Sequence, residues 1–215
     1  MIRMENVSKQ YDGRRVIHQV QLHVKSGELF GLVGNNGAGK STTIHLLAGI
    51  IHSTTGTIRI LEEPPGHSAY FFQNVGIVTE NQSYFNEMSA LEHMLFFNKV
   101  KGQRQKRQQL REILRLVELD PTNQKTVQQF SQGMKKRLGI ALALLSQPQI
   151  LLFDEPTTSL DPSATSMVYS LFQDLAQQGT TLFLTSSHRE ECESICTRMG
   201  ILENGSIRSL ELNPT

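Results

Sequence analysis

The segment Gly34-Asn35-Asn36-Gly37-Ala38-Gly39-Lys40-Ser41 satisfies the pattern G-x-x-x-x-G-K-[ST] in full. It constrains the fold because the pattern works in one setting only: a strand must lead in and a helix must lead out. Both are present. GELFGLV before it is apolar nearly throughout, as a strand covered on both faces would be. STTIHLLAGI after it reads as a helix. The glycines let the backbone wrap closely, so that several N–H groups and the helix N-terminus face an anion. In that arrangement Lys40 reaches the outer phosphates of a nucleotide, and Ser41 offers its hydroxyl to Mg²⁺.

A phosphate loop of this kind requires an acidic element, because Mg²⁺ prefers hard oxygen ligands. ILLFDE supplies one. Asp154 ends an apolar strand, where it can approach the metal or its water. Glu155 follows and is placed to polarise an attacking water as a general base.

Around these motifs IRMENVSKQY, VIHQVQLHV, TTGTIRIL and NVGIVTE read as strands, as do QILLFDEP, TTLFLTSSH and RMGILENGSI later. From Asn86 to Ser146 the period turns helical. Ser89 and Glu92 fit a capping box, and QRQKRQQLREILRLVEL carries Leu110, Ile113, Leu114 and Val117 on one stripe. Ser131 caps a further helix with Leu138, Ala141, Leu142 and Leu145 along its core face. SATSMVYSLFQDLAQQG is a helix between the first two late strands. Strands and helices flanking a helical block predict an α/β core with a helical insertion.

Lys and Arg total 21 against 20 Asp and Glu, a formal net charge of +1, so no nucleic-acid footprint is expected. The only two cysteines, Cys192 and Cys196, exclude a disulfide framework and suit a reducing compartment. Spaced i, i+4, they read as small hydrophobes on one helix face rather than metal ligands. No run approaches the roughly 18 apolar residues of a membrane helix, and the N-terminus lacks the apolar stretch of a signal peptide.

GNNGAGKST, FSQGMKKR, ILLFDEPTTSLD and LTSSH, in this order, resemble the nucleotide-binding subunit of ATP-binding cassette (ABC) transporters, over essentially the whole chain. The resemblance implies one domain with a P-loop NTPase core of α/β class. That core has a mixed sheet with helices and an N-terminal antiparallel β subdomain (residues 1–85 and 149–215), with an α-helical subdomain inserted at 86–148. It implies two ATP molecules, with Mg²⁺, held between two copies of the chain or a homologous subunit. Gly34, Asn35, Asn36, Gly37, Ala38, Gly39, Lys40, Ser41 and Thr42 of one copy would bind the nucleotide, and Ser131 and Gly133 of the other would touch its γ-phosphate.

By the same resemblance Tyr11 stacks on adenine, His188 hydrogen-bonds the γ-phosphate, and Ser159-Leu160-Asp161 crosses the dimer interface. Ser41 and Asp154 serve the metal. Glu80, four residues after Gly76, stands where the family often has glutamine, with Gln82 as the alternative; exporter-type members tolerate glutamate there. A third carboxylate beside Asp154 and Glu155 would crowd like charges. FSQGM also departs from LSGGQ at Gln132 and Met134. The resemblance is to the bacterial exporter branch (ABC-2 type), which handles drugs, antimicrobial peptides or lipids. It implies a separate transmembrane permease and a place at the cytoplasmic face of the membrane. Lys99, Lys101, Arg104, Lys106, Arg107, Arg111 and Arg115 read as a solvated face, with anionic headgroups or a partner loop as the alternative. The competing function is a cassette ATPase acting on ribosomes or DNA.

Overall fold

The computed structural model describes residues 1–212. Two sheets form. β1 (Ile2–Tyr11), β2 (Arg14–Val24) and β4 (Thr55–Ile60) make a three-stranded antiparallel sheet in the order β2-β1-β4. Its first hairpin turns on Asp12 and Gly13, at φ 44° and 82°, the positive-φ pair that a two-residue hairpin turn requires. This leaves Tyr11 at a strand end.

The second sheet has the order β5-β6-β7-β3-β8-β9: Val75–Val78, Ile150–Asp154, Thr181–Ser186, Leu29–Val33, Arg198–Glu203 and Ser206–Glu211. All its neighbours run parallel except β8 and β9. Every residue of β3, β6 and β7 is buried, which explains their unbroken apolar sequence. Alternate side chains of β3 enter different cores. Leu29 and Val33 face a core built with the helices, while Phe30 and Leu32 face one shared with the antiparallel sheet and α1 (Lys40–Leu47).

Between β5 and β6 the chain forms α3 (Ala90–Val100), α4 (Arg107–Leu116) and α5 (Gln132–Leu144). The capping box forms as the sequence predicts: Ser89 Oγ accepts from Glu92 N–H, and Glu92 Oε2 accepts from Ser89 N–H at 2.7 Å. The α4 helix is shorter than its apolar stripe suggests, and Val117 packs just past its end, fully buried. α5 lies directly on β5, and a Cβ at Gly76 would sit 2.6 Å from the Ala143 carbonyl oxygen.

One short helix was not expected from the sequence, α2 (Ala69–Asn74), capped by Ser68; α7 (Arg189–Ile195) after β7 is the helix on which the two cysteines were expected to lie. α6 (Pro162–Gln177) fills its expected place. Cys192 lies on α7, but Cys196 is already beyond it, in extended backbone at φ −83°, ψ 149°. The pair therefore does not share a helix face. Both sulfurs are buried over β3, where a Cβ at Gly31 would meet them at 2.6 and 2.9 Å. They act as the packing hydrophobes that their spacing suggested, by a different geometry.

His93 on α3 is fully buried. Its Nε2 accepts from Phe85 N–H at 3.1 Å, so Nδ1 carries the proton and donates to the Ser89 carbonyl at 2.9 Å. Burial pushes its pKa below the ordinary value, outweighing the Ser89 carbonyl and the Glu92 charge. The unfolded chain therefore takes up the proton first as pH falls, and stability is lost on the acid side. Stability against urea should be complete above about pH 6.5 and decline below it. His93→Gln should show a shallower decline over the same window; an identical slope in the two proteins would exclude His93 as the source.

Candidate functional site

The phosphate loop leaves β3 and enters α1 through Gly39, whose φ of 110° is closed to ordinary side chains. Gly34 N–H donates to the Ser186 carbonyl at 3.3 Å, and Thr43 N–H to the Gly39 carbonyl at 2.9 Å. The loop is thus tied to β7 on one side and to its own helix on the other. Lys40 turns back beneath it, donating to the carbonyls of Gly34 (2.7 Å) and Asn35 (3.4 Å). Its Nζ also lies 3.1 Å from Glu155 Oε1, with the two side chains only 7% and 11% exposed.

Glu155 stands one residue past β6 in the left-handed region, at φ 49°. Its N–H donates to Thr185 Oγ1 at 3.1 Å, and the same hydroxyl donates to Asp154 Oδ1 at 2.7 Å. Glu155 Oε2 accepts from Thr158 and Ser187 hydroxyls, each at 3.3 Å. Lys136, on α5, donates to the Glu155 carbonyl at 2.7 Å and to that of Asp154 at 3.4 Å.

A cleft of about 380 Å³ opens above these groups, walled by Lys40, Ser41, Thr42, Glu80, Glu155 and Ser187, with Gly37 and Gly39 along the loop. Asn35, Asn36 and Ala38 face an adjoining cleft of about 650 Å³ together with Arg14 and Arg15. Of the two candidates after β5, Glu80 lines the nucleotide-side cleft. Gln82 instead packs toward α5, its Oε1 2.9 Å from where a Cβ on Gly139 would stand.

No group of three His, Cys, Asp or Glu among the described residues is arranged to hold a metal alone. Ser41 and Glu80 on the cleft and Asp154 beside it are nonetheless hard oxygen donors of the kind Mg²⁺ takes when phosphate and water complete its shell.

The remaining predicted residues lie outside this cleft. Tyr11 is 42% exposed, with Lys9 Nζ 4.8 Å above its ring. Ser131 is an exposed N-cap of α5, its Oγ accepting from Met134 N–H at 3.2 Å. Gly133 lies against the Ser159–Leu160 turn. Asp161 caps α6 by accepting from Ala164 N–H at 2.9 Å. His188 is an exposed residue at the N-cap of α7, its main-chain N–H on Ser186 Oγ at 3.0 Å.

Sequence reasoning missed the supports. Glu191 accepts from Ser186 (2.7 Å) and Thr157 (3.2 Å), fastening the end of β7 to the turn after Glu155. Thr185 and Ser187 sit within LTSSH and were open to notice as hydroxyls flanking a strand end. Lys136 carries no such signal.

A glycine loop at the C-terminal end of a parallel strand, a lysine beneath it and a carboxylate pair two strands away define a P-loop nucleotide-binding domain. An ABC transporter family model matches residues 17–158. Nod factor export ATP-binding protein I of Sinorhizobium fredii is 36% identical over 207 residues, 95% of this chain and 60% of the relative. Linearmycin resistance ATP-binding protein LnrL of Bacillus subtilis is 33% identical over 210 residues, 96% of this chain and 68% of the relative. The chain thus spans 60% and 68% of the lengths of these two proteins. The solved dimeric, post-hydrolysis state of an ATP-binding cassette bound to ADP and Pi superimposes with a TM-score of 0.91 at 24% identity, covering 100% of both chains. The chain belongs to the ABC transporter family: it is an ABC ATPase domain whose relatives include exporter-type ATP-binding proteins.

Thr185 satisfies two buried groups with one hydroxyl, so Thr185→Val, which keeps the shape, should lower the free energy of urea unfolding by about 3 kcal/mol. Thr185→Ser should recover most of the loss.

Proposed function

We propose that the chain is the ATP-hydrolysing subunit of an exporter, working as a dimer that closes on two ATP and opens after hydrolysis. The observation that carries this reading is the ion pair of the loop lysine with Glu155 inside a cleft from which Ser131 and Gly133 are excluded. One copy holds the loop, the lysine and the carboxylates. The capped helix end bearing Ser131 faces solvent, free to complete a site on a second copy.

The contacts support the roles proposed for Lys40 and Glu155, and the family resemblance supports those proposed for Tyr11, His188 and Asp161. Lys40, already beneath the loop, exchanges Glu155 for the phosphates of an incoming nucleotide. Glu155, released on that side and steadied by Thr158 and Ser187, accepts the proton of a water attacking the γ-phosphorus as the bond to ADP breaks. Ser41, Asp154 and Glu80 are the residues that would hold Mg²⁺, whose charge neutralises the phosphate oxygens. Tyr11 offers its exposed ring to adenine. His188 and Asp161 are assigned to the γ-phosphate and to the partner copy.

The reading assigns passage across the membrane to a separate permease at the inner membrane surface; no helix among the described residues is long and apolar enough to cross a membrane. The relatives' names, Nod factor export and linearmycin resistance, support export, and a drug, antimicrobial peptide or lipid is the cargo that the family resemblance implies. Glu155→Gln decides the motor reading. The variant should bind ATP and accumulate as a dimer in size-exclusion chromatography, while Mg-dependent phosphate release falls about 10²–10⁴-fold. A wild-type chain no faster than the variant would defeat it.

A further inference from the structure

Three carboxylates gather at the cleft: Glu80 on its wall, and Asp154 and Glu155 at the end of β6. Side by side they would repel one another. The loop lysine is taken up by Glu155 and by two carbonyls. A second cation comes from α5, the element whose N-terminus carries Ser131. Lys136 directs its side chain inward, and its Nζ donates to both the Glu155 and Asp154 carbonyls. Burial works against its charge, and the Glu80, Asp154 and Glu155 carboxylates work for it. Glu155 holds a left-handed backbone that a non-glycine residue keeps only where its surroundings fix it. Thr185 fixes its N–H side and Lys136 its carbonyl side.

We infer that Lys136 is a positioning residue for hydrolysis: its ammonium offsets the charge that Glu80 adds to the Asp154–Glu155 pair, and it anchors the Glu155 main chain. The inference rests on the hydrolytic reading above. It links two positions across the fold: an acid at 80 calls for a cation at 136, whereas a neutral residue at 80 relaxes that demand. The basic turn after FSQGM and the acid that replaces the more usual glutamine are then one feature.

The test is a cycle of Lys136→Met, Glu80→Gln and the double variant in the full chain, with Lys136→Arg as the charge-preserving control. Lys136→Met should lower kcat for Mg-ATP about tenfold while KM stays within about twofold, and Lys136→Arg should recover most of the rate. Adding Glu80→Gln to Lys136→Met should restore part of it. Urea unfolding without nucleotide or metal supplies a second readout, in which Glu80→Gln should stabilise the Lys136→Met variant more than it stabilises the wild type. Lys136→Gln serves in the same cycle if Lys136→Met does not fold. Additive effects of the two changes on both rate and unfolding midpoint, or a rate unchanged by Lys136→Met, would overturn the inference. A wild-type chain that does not hydrolyse ATP would overturn the hydrolytic reading itself. The unfolding cycle, which needs no nucleotide, would still separate a Glu80–Lys136 pairing from its absence.

Discussion

The interaction on which the rest of the site depends is the ion pair of Lys40 with Glu155. Two nearly buried charges 3.1 Å apart are tolerable only because each has further partners. Lys40 has the Gly34 and Asn35 carbonyls, and Glu155 has two hydroxyls and a pinned backbone. These partners come from three strands whose C-terminal ends lie side by side in the order β6-β7-β3. β7 is the strand between, and it serves both neighbours. Thr185 orders Asp154 and Glu155 on one side, and the Ser186 carbonyl accepts from Gly34 on the other. The parallel topology therefore places the acidic end and the phosphate loop on a common scaffold, where open α/β sheets bind their ligands.

Such a pair is also a means of discrimination. In the proposed reading a multiply charged anion such as phosphate competes with the carboxylate for the buried lysine, as a neutral ligand does not. The fully buried central strands β3, β6 and β7 supply a low-dielectric floor beneath the site, which suits the exchange proposed between Glu155 and a ligand. Burial of the central strands is in this sense part of the chemistry.

What was legible in the sequence was what local backbone demands. Gly39 at a φ forbidden to side chains, Ser89 facing Glu92 across three residues, and Ser131 at an N-cap each answer a requirement visible within one turn of chain. The unbroken apolar run of β6 announced burial on both faces. What stayed hidden was set by topology. Lys136 reaches a carbonyl 19 residues away, and Thr185 reaches a carboxylate 31 residues away. Nothing in KKR or LTSS says that α5 and β7 will converge on the same acidic turn. Cys192 and Cys196 fail as a helix-face pair for a related reason: α7 ends before its period is complete, and their burial comes from the empty side of Gly31.

Three of the residues that remain outside the cleft follow one rule. Ser131, Asp161 and His188 stand at helix N-termini or N-caps, and each is exposed. An exposed helix start with unpaired N–H groups is a favourable place for an anion. Ser131 and Asp161 already spend a side-chain oxygen on their own helix, so what they present outward is mainly the main chain around them. At the signature segment this fits the proposed role of Ser131 and Gly133, with Gln132 exposed beside them. The cap shapes the helix entrance, the glycine lies against the Ser159–Leu160 turn, and Met134 turns inward to pack on the helical core.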